Sequence, residues 1–397
     1  MRKGLCNKTE VVLHLKTEIQ MRKRVFYMLW TLLLSVLSLE SCRNDVDLED
    51  LRYPVNETQQ RFEEEFTYMF GEVSPDVSWM TARRNEVTVD LSKFKSGESY
   101  KVQFFTDDPH FRYNYCYLVA EHTGVKGGQK EKLDYDYPTG LKNMFVSVIA
   151  ADGRNYTQRI RTEEDRTETV TFDPDRNEDK ILEHEPMRYR IGYEGFIEEG
   201  KRLDFDYNDV VAELVYVKGE PTATVNVLAV GCECAAQIKY LRIKNGKENW
   251  ETVIEEAHAS MGIRGIYDYV VGYVTYVNLN TDKNFSQTIG TATFDLKDDA
   301  GKSVTDIAPR LYVDFTLKPD KEGKGETTSS SVPQRSGVQY PQGVLVADPN
   351  WQWVDEGIRL SAKYAGYGDF YNWMLDPASY PFWYKCLAWE ELNNRFK

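Results

Sequence analysis

Glu86-Val87-Thr88-Val89-Asp90-Leu91 places an apolar side chain at every second position. Successive side chains of a strand point to opposite faces, so this stretch predicts a strand burying Val87, Val89 and Leu91. Segments of the same character follow at residues 100–105, 115–120, 144–150 and 167–172. Turn signals stand between them at Asp108-Pro109, Gly127-Gly128, Pro138-Thr139-Gly140 and Asp152-Gly153. Short strands with such punctuation predict a first β-sandwich domain over residues 84–175.

A charged stretch, 173–185, reads as the link to a second β domain over 186–390. Its predicted strands are 187–193, 210–217, 223–230, 238–243, 267–279, 291–296 and 311–317. Lys, Gly, Ser and Thr dominate 318–337, which predicts a mobile loop. Aromatic residues make up 13% of the chain, 26 of them Tyr, which suits half-buried sheet faces. The expected fold class is mainly β: two sandwich-like domains behind a signal peptide, a short tether and one amphipathic helix.

That helix belongs to an N-terminal lead-in over 56–83. Asn56 is its expected cap, with Gln59 at the capping-box position. Phe62, Phe66, Met69 and Phe70 recur at helical spacing, and Gly71 ends the pattern. The stripe is expected to pack on the first sandwich. At the other end, Trp351, Trp353, Tyr364, Phe370, Trp373, Trp383 and Tyr384 crowd together. A sugar platform and a core seam returning to the sheet are the two readings; aromatics alternating in strand-like segments favour the core.

Met21-Arg22-Lys23-Arg24 followed by an apolar run of about 15 residues, 25–39, suits a signal peptide over 1–41. The run falls short of the roughly 20 residues a membrane-spanning helix needs. Met21 is the better start, so residues 1–20 read as a mis-called extension. Leu39-Glu40-Ser41-Cys42 resembles a bacterial lipobox, making Cys42 the expected lipid attachment point and 42–55 a tether. A secretory signal with a chance cysteine is the competing reading. The expected location is the cell envelope, most simply the surface of the outer membrane. The formal net charge of −14 argues against nucleic acid, whose phosphates require a basic face. Cys116, Cys232, Cys234 and Cys386 form no disulfide framework or zinc pattern and read as buried, inert thiols.

The chemistry concentrates in Asp204-Phe205-Asp206-Tyr207-Asn208-Asp209, directly before the strand starting at Val210. Carboxylate and amide oxygens at alternating positions are what a hard cation such as Ca²⁺ asks of a loop. The stretch is no EF-hand: Asp209 stands where that loop needs Gly, and Val215 where it needs a bidentate Glu. The expected ligands are Asp204, Asp206, Asn208 and Asp209, with Glu194 on the preceding segment. The competing reading is a polar turn whose side chains bond nearby backbone N–H groups. Crowded carboxylates repel one another unless something compensates, which favours the cation.

The segment Ile191-Gly192-Tyr193-Glu194-Gly195-Phe196, a spacer, and Asp204 to Val211 together resemble the LruC-domain family of bacterial surface lipoproteins. Phe70 to Pro75 with Trp79 is similar to the N-terminal element of Bacteroides-type members. Glu256, His258 and Gly262 resemble a mid-domain element, and Trp351-Gln352-Trp353, Ile358, Tyr364, Phe370 and Trp373 the C-terminal one. Gly195 stands where the family usually has Asp. The resemblance implies a β-rich envelope module with a calcium-binding loop, and names no reaction.

Enzyme signatures fail. His184-Glu185 lacks the second His of a zinc protease, since Arg188 occupies its place. Gly301-Lys302-Ser303 lacks the first Gly of a phosphate loop, and no Gly-x-Ser-x-Gly elbow occurs. The expected function is therefore a non-enzymatic binding or adhesion module for a glycan or protein. An envelope glycan hydrolase and a structural subunit of a surface assembly are the alternatives.

Overall fold

The computed structural model describes residues 55–71, 79–112, 115–162, 168–195, 204–232, 234–262, 289–316, 327–332, 341–354, 358–364, 366–375, 379–380 and 383–385. All of them fall within one compact unit. The signal segment, Cys42, the tether as far as residue 54, Cys386 and the predicted strand 267–279 lie outside the described residues, while Val55 belongs to the first helix.

The architecture is mainly β and sandwich-like, as the alternation predicts. The first half carries β1 (Ala82–Asp90), β2 (Ser99–Phe105), β3 (Leu118–Lys126), β4 (Lys130–Pro138), β5 (Asn143–Ile149), β6 (Asn155–Arg161) and β7 (Glu168–Thr171). They form a three-stranded sheet, β4-β1-β7, and a four-stranded one, β3-β2-β5-β6. Phe104 of β2 stacks on Tyr135 of β4 at 4.8 Å, so the two sheets share an interior. Val87, Val89 and Leu91 are all buried, as their period of two demands.

The second half carries β8 (Arg188–Tyr193), β9 (Val210–Val215), β10 (Thr222–Ala229), β11 (Ala235–Lys244), β12 (Lys247–Ile254), β13 (Gly290–Asp295), β14 (Leu311–Thr316), β15 (Thr327–Ser331) and β16 (Gly343–Val346). One sheet runs β13-β10-β9-β8-β16, the other β12-β11-β14-β15. Tyr240 of β11 meets Phe294 of β13 at 4.9 Å, and the Tyr193 hydroxyl donates to the Leu311 carbonyl at 3.2 Å.

Backbone hydrogen bonds join the halves. Met187 N–H donates to Leu118 O at 2.9 Å, Lys218 N–H to Val119 O at 3.2 Å, and Glu121 N–H to Lys218 O at 2.8 Å. The Lys218 ammonium, buried at the same seam, pairs with Asp134 of β4.

Four expectations need correction. Helix α1 runs Val55–Phe70, so Asn56 lies inside its first turn. Its stripe packs on the second half rather than the first: Phe66 meets Phe205 at 5.5 Å, and Phe70 meets Phe370 at 6.3 Å. Part of the predicted mobile loop is β15, paired with β14 from Thr327 to Ser331; Ser and Thr on an edge strand mimic loop composition. The aromatic tail is helical, not strand-like: α2 (Gly366–Leu375) buries Phe370 and Trp373. Trp373 lies 5.5 Å from Trp79 and 5.2 Å from Trp383.

Candidate metal centre

β8 and β9 are antiparallel neighbours, with Tyr193 opposite Val210 and Gly192 opposite Val211. Glu194 leaves the end of β8, and Asp204 to Asp209 lead into the start of β9. The hairpin thus brings together acidic residues that are ten or more positions apart in the chain.

The loop folds back on β8. A Cβ on Gly192 would sit 2.4 Å from the Tyr207 carbonyl oxygen, so only glycine tolerates that approach. Phe205 and Tyr207 hold left-handed backbone conformations, φ 53° and 56°. Such conformations persist in non-glycine residues only when packing over-determines them. Here both side chains are buried: the Phe205 ring lies 5.7 Å from Phe70, and the Tyr207 hydroxyl donates to Pro341 O at 3.2 Å. Leu360 N–H reaches the Phe205 carbonyl at 3.2 Å, which ties the loop to the C-terminal region.

Alternating φ turns successive carboxylates inward. Oxygen atoms of Glu194, Asp204 and Asp206 lie within 4.8 Å of one another. Glu194 and Asp206 are buried, and Asp204 is half-buried. At an effective dielectric of about 20, two ionised carboxylates at that separation repel by about 3 kcal/mol. Burial and the charges of Asp209, Asp206 and Asp204 push the Glu194 carboxyl well above the usual carboxylate range. Its two oxygens accept N–H bonds from Phe205 at 3.3 Å and Tyr207 at 3.1 Å. Mutual repulsion among crowded, buried carboxyls is what a bound cation relieves.

Asn208 and Asp209 stand beside this trio. The Asn208 amide donates to Val354 O at 3.0 Å, and its backbone N–H to Asp206 Oδ1 at 3.1 Å. Its Oδ1 is buried and accepts no hydrogen bond. An orphaned acceptor beside buried carboxylates fits the donor set of a hard cation. Asp209 Oδ2 accepts the Gly195 N–H. The cluster can hold a metal ion.

No family model matches the chain, and no curated protein does either.

Gly195 is explained by its neighbours: a Cβ there would lie 2.9 Å from the Phe315 ring. His258, singled out with Glu256 in the sequence, is buried. Its Nδ1 pairs with Glu256 Oε1 at 2.8 Å and its Nε2 meets Cys232 O at 3.0 Å, while Glu256 Oε2 caps the turn at Ala259 N–H. That is a structural role. Cys116, Cys232 and Cys234 are buried and free. Burial pushes the Cys116 thiol up to about 12, which leaves it unreactive. Sequence reasoning missed Val354 and Ser330, whose hydroxyl donates to the Glu194 carbonyl at 2.7 Å. No local signal marks either, because one acts through its backbone and the other sits in a Ser/Thr run.

Proposed function

We propose that this protein is a non-enzymatic, lipid-anchored module of the bacterial cell envelope whose second half is stiffened by Ca²⁺. Its role is to bind a glycan or protein partner. The observation that carries the calcium reading is the trio of buried Glu194 and Asp206 with half-buried Asp204, beside the orphaned Asn208 oxygen. Three carboxylates and an amide oxygen suit Ca²⁺, which takes six to eight oxygen ligands in flexible geometry. Anchoring rests on the lipobox-like Leu39 to Cys42 sequence and on the resemblance to LruC-domain lipoproteins. Among the described residues, no helix is long and apolar enough to cross a membrane.

Thermal unfolding with Ca²⁺ or with chelator, beside an Asp204→Ala/Asp206→Ala variant, tests the reading. A ligand bound only to the native state stabilises by about 2.7 kcal/mol at 100 times its Kd. The wild type should gain unfolding temperature with Ca²⁺ and the variant should not. A folded wild type indifferent to Ca²⁺ refutes the metal site. A glycan array distinguishes capture from hydrolysis, since released sugar would indicate an enzyme.

A further inference from the structure

A second feature lies where both halves and the C-terminal segment meet. A cavity of about 150 Å³ opens there, lined by Tyr115, Tyr117, Tyr384, Asp107, Asp348 and Lys385. Leu141 and Met187 add apolar wall. Drug-sized pockets start at about 300 Å³, so this one takes a single small ring. Tyr115 is 66% exposed at the cavity, although a large aromatic ring gains free energy when covered.

The polar groups are arranged for hydroxyls rather than for a charge. Asp348 Oδ1 accepts the Asn350 N–H at 2.8 Å, while Oδ2 lies 3.8 Å from the Lys385 ammonium. That separation is longer than a hydrogen bond, and a hydroxyl can bridge it by donating to the carboxylate and accepting from the ammonium. The Lys385 ammonium lies 5.8 Å from the Tyr384 ring centre. Burial first, and then the Asp348 charge, raise the Tyr117 and Tyr384 hydroxyls above their ordinary range. Among the described lining residues, Asp107 and Asp348 outnumber Lys385, which disfavours phosphate, sulfate and acidic sugars.

We propose that this cavity is a binding site for one neutral pyranose ring. Its C–H face covers Tyr115, and its vicinal hydroxyls bridge Asp348 and Lys385. The assignment rests on the binding-module reading and gives it a place and a ligand class.

Saturation-transfer NMR on the full chain, in a detergent without a sugar headgroup, tests this. The probes are methyl glycosides of glucose, galactose, mannose and N-acetylglucosamine. The expected result is transfer to at least one of them. Affinity should fall about tenfold in Tyr115→Ala, the size of a lost aromatic contact. It should fall similarly in Asp348→Asn, and Tyr115→Ala should keep the wild-type unfolding temperature because that ring is exposed. Transfer to none of the four overturns the proposal. Transfer unchanged in both variants overturns this site while leaving glycan binding elsewhere intact. Calcium dependence is read separately by unfolding, so failure of the metal site does not affect the result.

Discussion

Replacing Asp136 with Asn should stabilise the protein at neutral pH and much less in acid. Asp136 sits on β4, fully buried, at the seam between the two halves. One oxygen accepts the Val304 N–H at 2.8 Å, and Oδ1 has no hydrogen-bond partner. The nearby Lys218 ammonium pairs instead with Asp134. Burial therefore dominates and raises the carboxyl from 3.8 to about 6. A raised native value means that the folded state holds the proton more tightly than the unfolded chain. The stabilisation is full below the unfolded value of 3.8 and is lost as pH rises to about 6. The complete loss is about 3 kcal/mol, of which about 1 kcal/mol is already gone near pH 4.5. Asn is neutral throughout and retains an acceptor for Val304. The stability gap between variant and wild type should widen by about 2 kcal/mol between about pH 4.5 and about pH 8. Urea unfolding of both proteins across that range measures it; both keep Asp134, Lys218 and His122, so all but their coupling to Asp136 cancels. A gap that is constant, or that widens toward acid, refutes the reasoning.

Gly192→Ala would drive a methyl group against the Tyr207 carbonyl; a loss of about 2 kcal/mol or more in denaturant unfolding is expected. A normal stability would show that the loop does not fold back over β8. Phe66→Ala removes a fully buried ring that touches Phe70, Trp79 and Phe205, and should cost about 3–5 kcal/mol. Cys116, Cys232 and Cys234 should resist a thiol reagent in the native state and react on unfolding; prompt labelling of any of them would contradict their burial.

Strands with clean alternation were readable because their chemistry is local: β1, β2, β5, β8, β9 and β10 all fall where periodicity places them. β4 was not readable, since Lys130-Glu131-Lys132 opens it with charge and only the partner β1 makes it a strand. β12 likewise begins Lys247-Glu248-Asn249 and is exposed along most of its length. β16 is four residues long and gains its identity from pairing with β8. The acidic residues of the candidate site were visible as a crowd. Their grouping was not, because the left-handed turns at Phe205 and Tyr207 are imposed by α1 and the C-terminal region. Sequence spacing named Asp204, Asp206, Asn208 and Asp209 with Glu194 as candidate ligands, and the three-dimensional trio joins Glu194 to Asp204 and Asp206.

The acidic loop is held from both directions along the chain. Phe66 supports it from upstream, and Val354 and Leu360 bond it from far downstream. Thr81 and Leu345, 264 positions apart, close the same region with a further hydrogen bond. A chain emerging from the ribosome presents these partners one after another. The loop cannot take its native shape until the residues around Leu360 have emerged. The candidate site therefore assembles late in folding: the bond from the Asn208 amide to the Val354 carbonyl alone spans 146 positions of chain.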